Sequence, residues 1–113
     1  MYRLRVLDTK TVLAEGLMET IIDFDKNNMA NVLEKAETPN ERRHDFTQKD
    51  IYILAFTDDD MLAGYLECVP CVKDGEETYL TSMQIDRRHR QSILISQILL
   101  RAKRDLMRRS LTN

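Results

Sequence analysis

The residues best suited to chemistry crowd into one short stretch, Asp86-Arg87-Arg88-His89-Arg90-Gln91. Guanidinium forks match the oxygens of phosphate or carboxylate, so this is anion-binding composition. An apolar stretch, Thr78 to Ile85, runs into the basic turn, and a long amphipathic pattern begins near Ser92. A strand that hands over to a helix through such a turn aims the first helical N–H groups, and the positive end of the helix dipole, at one point. That geometry makes an anion site.

Three other groups carry reactive side chains. Cys68-Val69-Pro70-Cys71 has the Cys-x-x-Cys spacing. In redox folds such a pair opens a helix, whose N-terminus lowers the pKa of the first thiol. Here it ends a strand and runs into a turn, so two structural thiols in a reducing compartment are expected. A zinc site would need two more ligands, and only His44 and His89 are available outside the carboxylates. Asp58-Asp59-Asp60 lacks the spacing and the glycine of a calcium loop and reads as a turn tip. No metal is expected. His44 lies beside Arg42, Arg43 and Asp45 in the polar stretch 38–49 and reads as a solvated loop histidine.

The elements that must hold these groups follow from periodicity. Tyr2, Leu4 and Val6 alternate with Arg3 and Arg5, which is a half-buried strand. Leu13, Leu17, Ile21 and Phe24, widened by Met18 and Ile22, make one amphipathic helix over residues 11 to about 26. A second helical piece over about 28–37 presents Met29, Val32, Leu33 and Ala36, and Pro39-Asn40 ends it. Three strands follow. Ile51–Thr57 is almost wholly apolar and central, Met61–Val69 comes after the aspartate turn, and Thr78–Ile85 returns through the hairpin signal Asp74-Gly75. Two hairpins in succession make an antiparallel meander.

A chain of 113 residues, 42% hydrophobic and 32% charged, is one domain of ordinary soluble composition. No apolar run approaches the ~20 residues of a membrane span, and the alternating start has no leader character, so a cytoplasmic protein is expected. The net charge of −2 hides an asymmetry. Residues 1–86 carry nine Lys or Arg against eighteen Asp or Glu, and residues 87–113 carry eight against one, Asp105. The basic part could face an anion, the acidic body of its own domain, or that of a partner.

Residues 85–99, IDRRHRQSILISQIL, resemble the acyl-CoA loop of the GNAT N-acetyltransferase superfamily, whose pattern runs roughly V-x-P-x-Y-R-G-x-G-I-G-x-x-L-L. Ile85 takes the strand-end Val, His89 the aromatic position and Arg90 the first position of the Q/R-x-x-G-x-G/A core. Ile98 and Leu99 take the Leu pair. Arg87 stands where the family often has proline, and Ile93 and Ile95 stand where it has its two glycines. The order strand, two helices, three meander strands, helix is likewise that of the N-terminal part of the GNAT fold.

The resemblance implies a mixed α/β (α+β) architecture. It would be a single GNAT-like domain over residues 1–113, lacking the usual C-terminal strands and helix, with its last helix packed on the sheet. It also implies acetyl-CoA or another acyl-CoA as cofactor. Met83 and Ile85 would offer strand backbone to the pantetheine arm, and Arg90, Gln91, Ser92, Ile93, Leu94, Ile95 and Ser96 would form the phosphate cradle. Arg87 and Arg88 would add charge-assisted bonds. Where members of the family place a glutamate base on the strand before the loop, this chain offers only Glu77, with Glu67 on the preceding strand, so no catalytic residue is assigned. Glycine serves in such a cradle because phosphate must approach the backbone closely, so acyl transfer here is expected to be weak or atypical.

Two further readings stand beside this one. The domain would be a non-catalytic protein-binding or assembly module, or a nucleic-acid binder through Arg87, Arg88, Arg90, Arg101, Lys103, Arg104, Arg108 and Arg109. Against the latter, no Phe, Tyr or Trp follows Tyr79 to stack on bases. Without a following strand, Thr78–Ile85 would be an apolar sheet edge, and the last helix is apolar over more than one face. A homodimer that covers the edge or the helix face is therefore expected.

Overall fold

A computed structural model describes residues 1–29, 50–106 and 110–112. Five strands form one sheet in the order β1-β2-β3-β4-β5: Arg3–Asp8, Ile51–Phe56, Leu62–Lys73, Glu76–Ile85 and Ser110–Thr112. The first four are antiparallel neighbours, with Val6 opposite Ile53, Ile53 opposite Leu66 and Leu66 opposite Met83. Helices α1 (Thr9–Ala14) and α2 (Leu17–Met29) cover one face, and α3 (Leu94–Leu106) covers the other.

The two faces follow from strand alternation. Leu7, Tyr52, Leu54, Phe56 and Tyr65 point to one side, where Val12, Ile21 and Phe24 close over them. Ile53, Ala55, Leu66, Cys68, Tyr79 and Ile85 point to the other and meet Leu94, Ile98, Ala102 and Leu106. Those four recur every fourth residue, the spacing of one helical stripe. β2 is covered on both faces, which accounts for its nearly unbroken apolar sequence.

Several expectations are corrected. The single helix expected over 11–26 is two, because Gly16 adopts φ +70 and turns the chain after the Glu15 cap. The apolar period continues across the break, so it does not mark it. Asp8 caps α1, its carboxylate accepting from the Thr11 N–H at 2.8 Å. The helical piece expected near 28–37 falls outside the described residues beyond Met29, as do the 38–49 loop and His44.

β3 does not end at Val69 but runs on to Lys73, so both cysteines sit within a strand. Pro70 is tolerated there because the ladder with β2 has its last pair at Ile51 and Cys68, so among the described residues β3 has no strand neighbour on that side at Pro70. The hairpin turn is as expected: Asp74 and Gly75 have φ of 54 and 80, the conformation a two-residue loop requires. The edge expected at Thr78–Ile85 is partly covered, since β5 pairs in parallel with Thr78, Tyr79 and Leu80. A parallel neighbour needs a crossover, and α3 supplies it. Three residues, Ser110-Leu111-Thr112, are too few to show a period in the sequence.

Cys68 and Cys71, three apart along a strand, lie on opposite faces and cannot bridge without breaking the ladder. Cys68 is fully buried, and burial pushes its thiol up to about 12, whereas Cys71 is half-buried. Iodoacetamide at pH 8 is therefore expected to label one thiol per native chain, at Cys71, and two after denaturation. Two fast-reacting native thiols would mean that β3 ends early.

Candidate functional site

The basic turn is built outward from Asp86. Its N–H donates to the Ala63 carbonyl at 2.9 Å, which ends the strand ladder. Its carboxylate, nearly buried, accepts from the Arg88 N–H at 2.8 Å and from Arg88 Nε and Nη2 at 3.1 and 3.2 Å. These Arg88 bonds hold the Asp86 carboxyl below the usual carboxylate range. The result is a single 3-10 turn, Arg87–His89.

Arg90 Nε donates to the Ile85 carbonyl at 3.1 Å and pulls the turn back over the strand end. Ser92 Oγ donates to the His89 carbonyl at 2.6 Å and accepts from the Leu94 N–H at 3.2 Å, so Ser92 caps α3 and the helix proper begins at Leu94. The N–H groups of Ile95 and Ser96 belong to the first helical turn and have no intrahelical acceptor.

Two residues that the sequence reading passed over hold this turn. Tyr2 places its hydroxyl 2.7 Å from His89 Nδ1, with the rings edge to face, and so ties the first strand to the turn. Nothing local in the sequence signals that pairing. Gly64 is the other. A Cβ there would stand 2.6 Å from Ile85 Cδ1, 3.0 Å from the Gln84 carbonyl oxygen and 3.4 Å from Leu94 Cδ2. Glycine thus lets the end of β4 and the start of α3 close onto β3.

The structure brings the expected site residues into one strand-turn-helix unit, with different environments. Met83 is half-buried against the α3 core, and Ile85 and Leu94 are buried in it. Arg90, Gln91, Ser92 and Ser96 are exposed. Ile93 and Ile95, at the two glycine positions, are 67% and 37% exposed. They do not fold inward to fill the sheet face. Ile93 stands in the turn just before α3, and Ile95, in its first turn, leans toward the helix N-terminus, so two branched apolar groups rim the point where phosphate would meet the backbone.

The remaining candidates are placed apart from the turn. Glu77 is exposed near the β3–β4 hairpin. Glu67, half-buried under the other helix pair, accepts from Tyr52 at 2.8 Å, and on the same face Tyr65 donates to Asp25 at 2.6 Å. The first pair depends on the register between β2 and β3, and the second joins β3 to α2 across 40 residues, so no local spacing in the sequence signals either. Among the described residues no His/Cys/Asp/Glu group could hold a metal, and no helix is long and apolar enough to cross a membrane.

This architecture is that of the GNAT acetyltransferases. An aminoglycoside acetyltransferase from an uncultured soil metagenomic sample superposes with a TM-score of 0.73 at 6% identity, over 98% of this chain and 75% of the other. The ribosomal-protein-alanine N-acetyltransferase of Brucella melitensis biovar Abortus 2308 gives 0.64 at 10%, over 99% and 78%. A GNAT-family acetyltransferase from Streptococcus pneumoniae gives 0.60 at 16%, over 92% and 66%. No protein-family model matches the sequence, and none of the curated proteins is similar to it. The chain therefore has the GNAT fold, and identities this low speak for fold alone.

The residues present match an acyl-CoA site at its strand and not at its phosphate end. Pairing with β5 stops at Leu80, so among the described residues the later half of β4 has a strand neighbour only on the β3 side. That opening leads directly to the basic turn. At the turn itself, the Ile85 carbonyl is taken by Arg90, and branched side chains stand where the family has glycine.

Proposed function

We propose that this chain is an atypical GNAT-fold domain with weak acyl-CoA-dependent N-acyltransferase character. The observation that supports it is the parting of β4 from β5 after Leu80, beside a helix start with available N–H donors and a basic turn. Arg87 and the guanidinium nitrogens of Arg90 that Ile85 leaves unused would meet an anion first. A calorimetric titration with acetyl-CoA tests this. Weak saturable binding, reduced several-fold in Arg90→Ala, is expected; a titration without heat at saturating cofactor overturns it.

A second reading, a non-catalytic assembly module, is favoured by one specific observation. α3 exposes Leu99 and Leu100 at 48% and 68% in addition to its buried stripe, and Ile93 just before it is 67% exposed. A helix that serves only its own sheet has no need of a second apolar face.

A further inference from the structure

An open groove of about 590 Å³ runs between α3 and the start of β1. Tyr2, Leu4 and the exposed Leu100 give it an apolar floor, and Arg101, Lys103 and Arg104 stand along its rim. Asp105 takes only one nitrogen from each arginine, Nε of Arg101 at 2.7 Å and Nε of Arg104 at 3.0 Å. Lys103 has no partner among the described residues, so the rim stays cationic. Gln97 also lines the groove, and among the described residues its buried Oε1 has no hydrogen-bond partner.

The same molecule carries a part with the opposite character. Pairing with β2 stops at Cys68 and pairing with β5 stops at Thr78, so among the described residues the tip of the β3–β4 hairpin, from Val72 to Glu77, reaches past both neighbours. Val72, at that tip, is 72% exposed and pairs across the strands with the exposed Glu77. Asp74 and Glu76 are exposed beside them, against a single cationic residue of the tip sequence, Lys73. One surface is an apolar floor with a basic rim; the other is an apolar knob with an acidic rim.

We propose that the groove receives the β3–β4 hairpin tip of a second copy of this chain. Val72 rests on Tyr2, Leu4 and Leu100, and the acidic tip faces Lys103 and Arg104. If the exchange is reciprocal it closes as a dimer, and if not it propagates. The contact deepens the assembly reading and makes no use of the acyl-CoA turn.

A charge swap tests it with exposed residues only. Lys103→Glu/Arg104→Glu carries an acidic groove with an acidic hairpin, and Glu76→Lys/Glu77→Lys carries a basic groove with a basic hairpin. Each alone is expected to self-associate at least about tenfold more weakly than the native chain in sedimentation velocity. Their equimolar mixture restores association, and salt of about 1 M, where the screening length falls to about 3 Å, weakens it again. Circular dichroism of each variant confirms its fold. A native chain that stays monomeric at tens of micromolar overturns both this contact and the assembly reading. Native association that the mixed variants fail to restore overturns the contact alone, leaving assembly through another face.

Discussion

Replacing Ile98 with alanine is expected to lower the free energy of unfolding by about 2–5 kcal/mol, whereas Leu99→Ala, one position further on, should change it by less than roughly 0.5 kcal/mol. Ile98 is 0% exposed at the centre of the stripe through which α3 meets the sheet, and Leu99 is 48% exposed on its flank. Small domains have a total stability of about 5–15 kcal/mol, so the first change removes a large share. Both substitutions delete apolar side chain and neither harms helix propensity, so any difference reports docking alone. Urea unfolding of the two variants under identical conditions measures it. Equal costs would mean that α3 is rotated on its axis from the position described, and the exposed face assigned to it would be wrong as well.

The second large effect is a gain. Ile93→Gly/Ile95→Gly is expected to bind acetyl-CoA at least about tenfold more tightly than the native chain, the gain being that of close phosphate approach to the helix backbone. The Ile93→Ala/Ile95→Ala variant should fall between, since it removes the branched rim but keeps a Cβ at each place. Glycine costs a helix about 0.5–1 kcal/mol per position in its interior, so a small loss in melting temperature should accompany the tighter binding. Calorimetry with the three proteins separates the cases. If the glycine variant binds no better than the native chain, obstruction is not what distinguishes this turn, and the phosphate reading of it falls.

How much of this was legible beforehand differs by element. The strand faces of β1 and β2, the Asp74-Gly75 hairpin and the stripe of α3 follow from period and turn chemistry, both local properties of a sequence. The break at Gly16 was hidden because the apolar period runs on through it. β5 was hidden because a three-residue parallel strand gains its stability from the neighbour it meets. Within the turn, the basic composition and the two isoleucines were plain. The supports were not: Tyr2, Gly64 and Ala63 reach His89, Leu94 and Asp86 from other strands, and no spacing rule connects them. Pro70 hides the extent of β3, because proline argues against a strand interior unless the ladder on one side has ended, and that ending is set by β2 and not by local sequence.

The bond between Tyr2 and His89 joins positions 87 residues apart. During synthesis the first strand therefore leaves the ribosome long before the group that completes its end has been made, and its neighbour β2 also arrives late. Contacts of such long range form slowly, because the loop must close before the pairing rewards it. The hairpin of β3 and β4, whose partners are adjacent in the chain, is then the natural nucleus, and the N-terminal strand docks onto it afterwards. A nascent chain arrested before residue 89 would still lack the group that secures its own beginning.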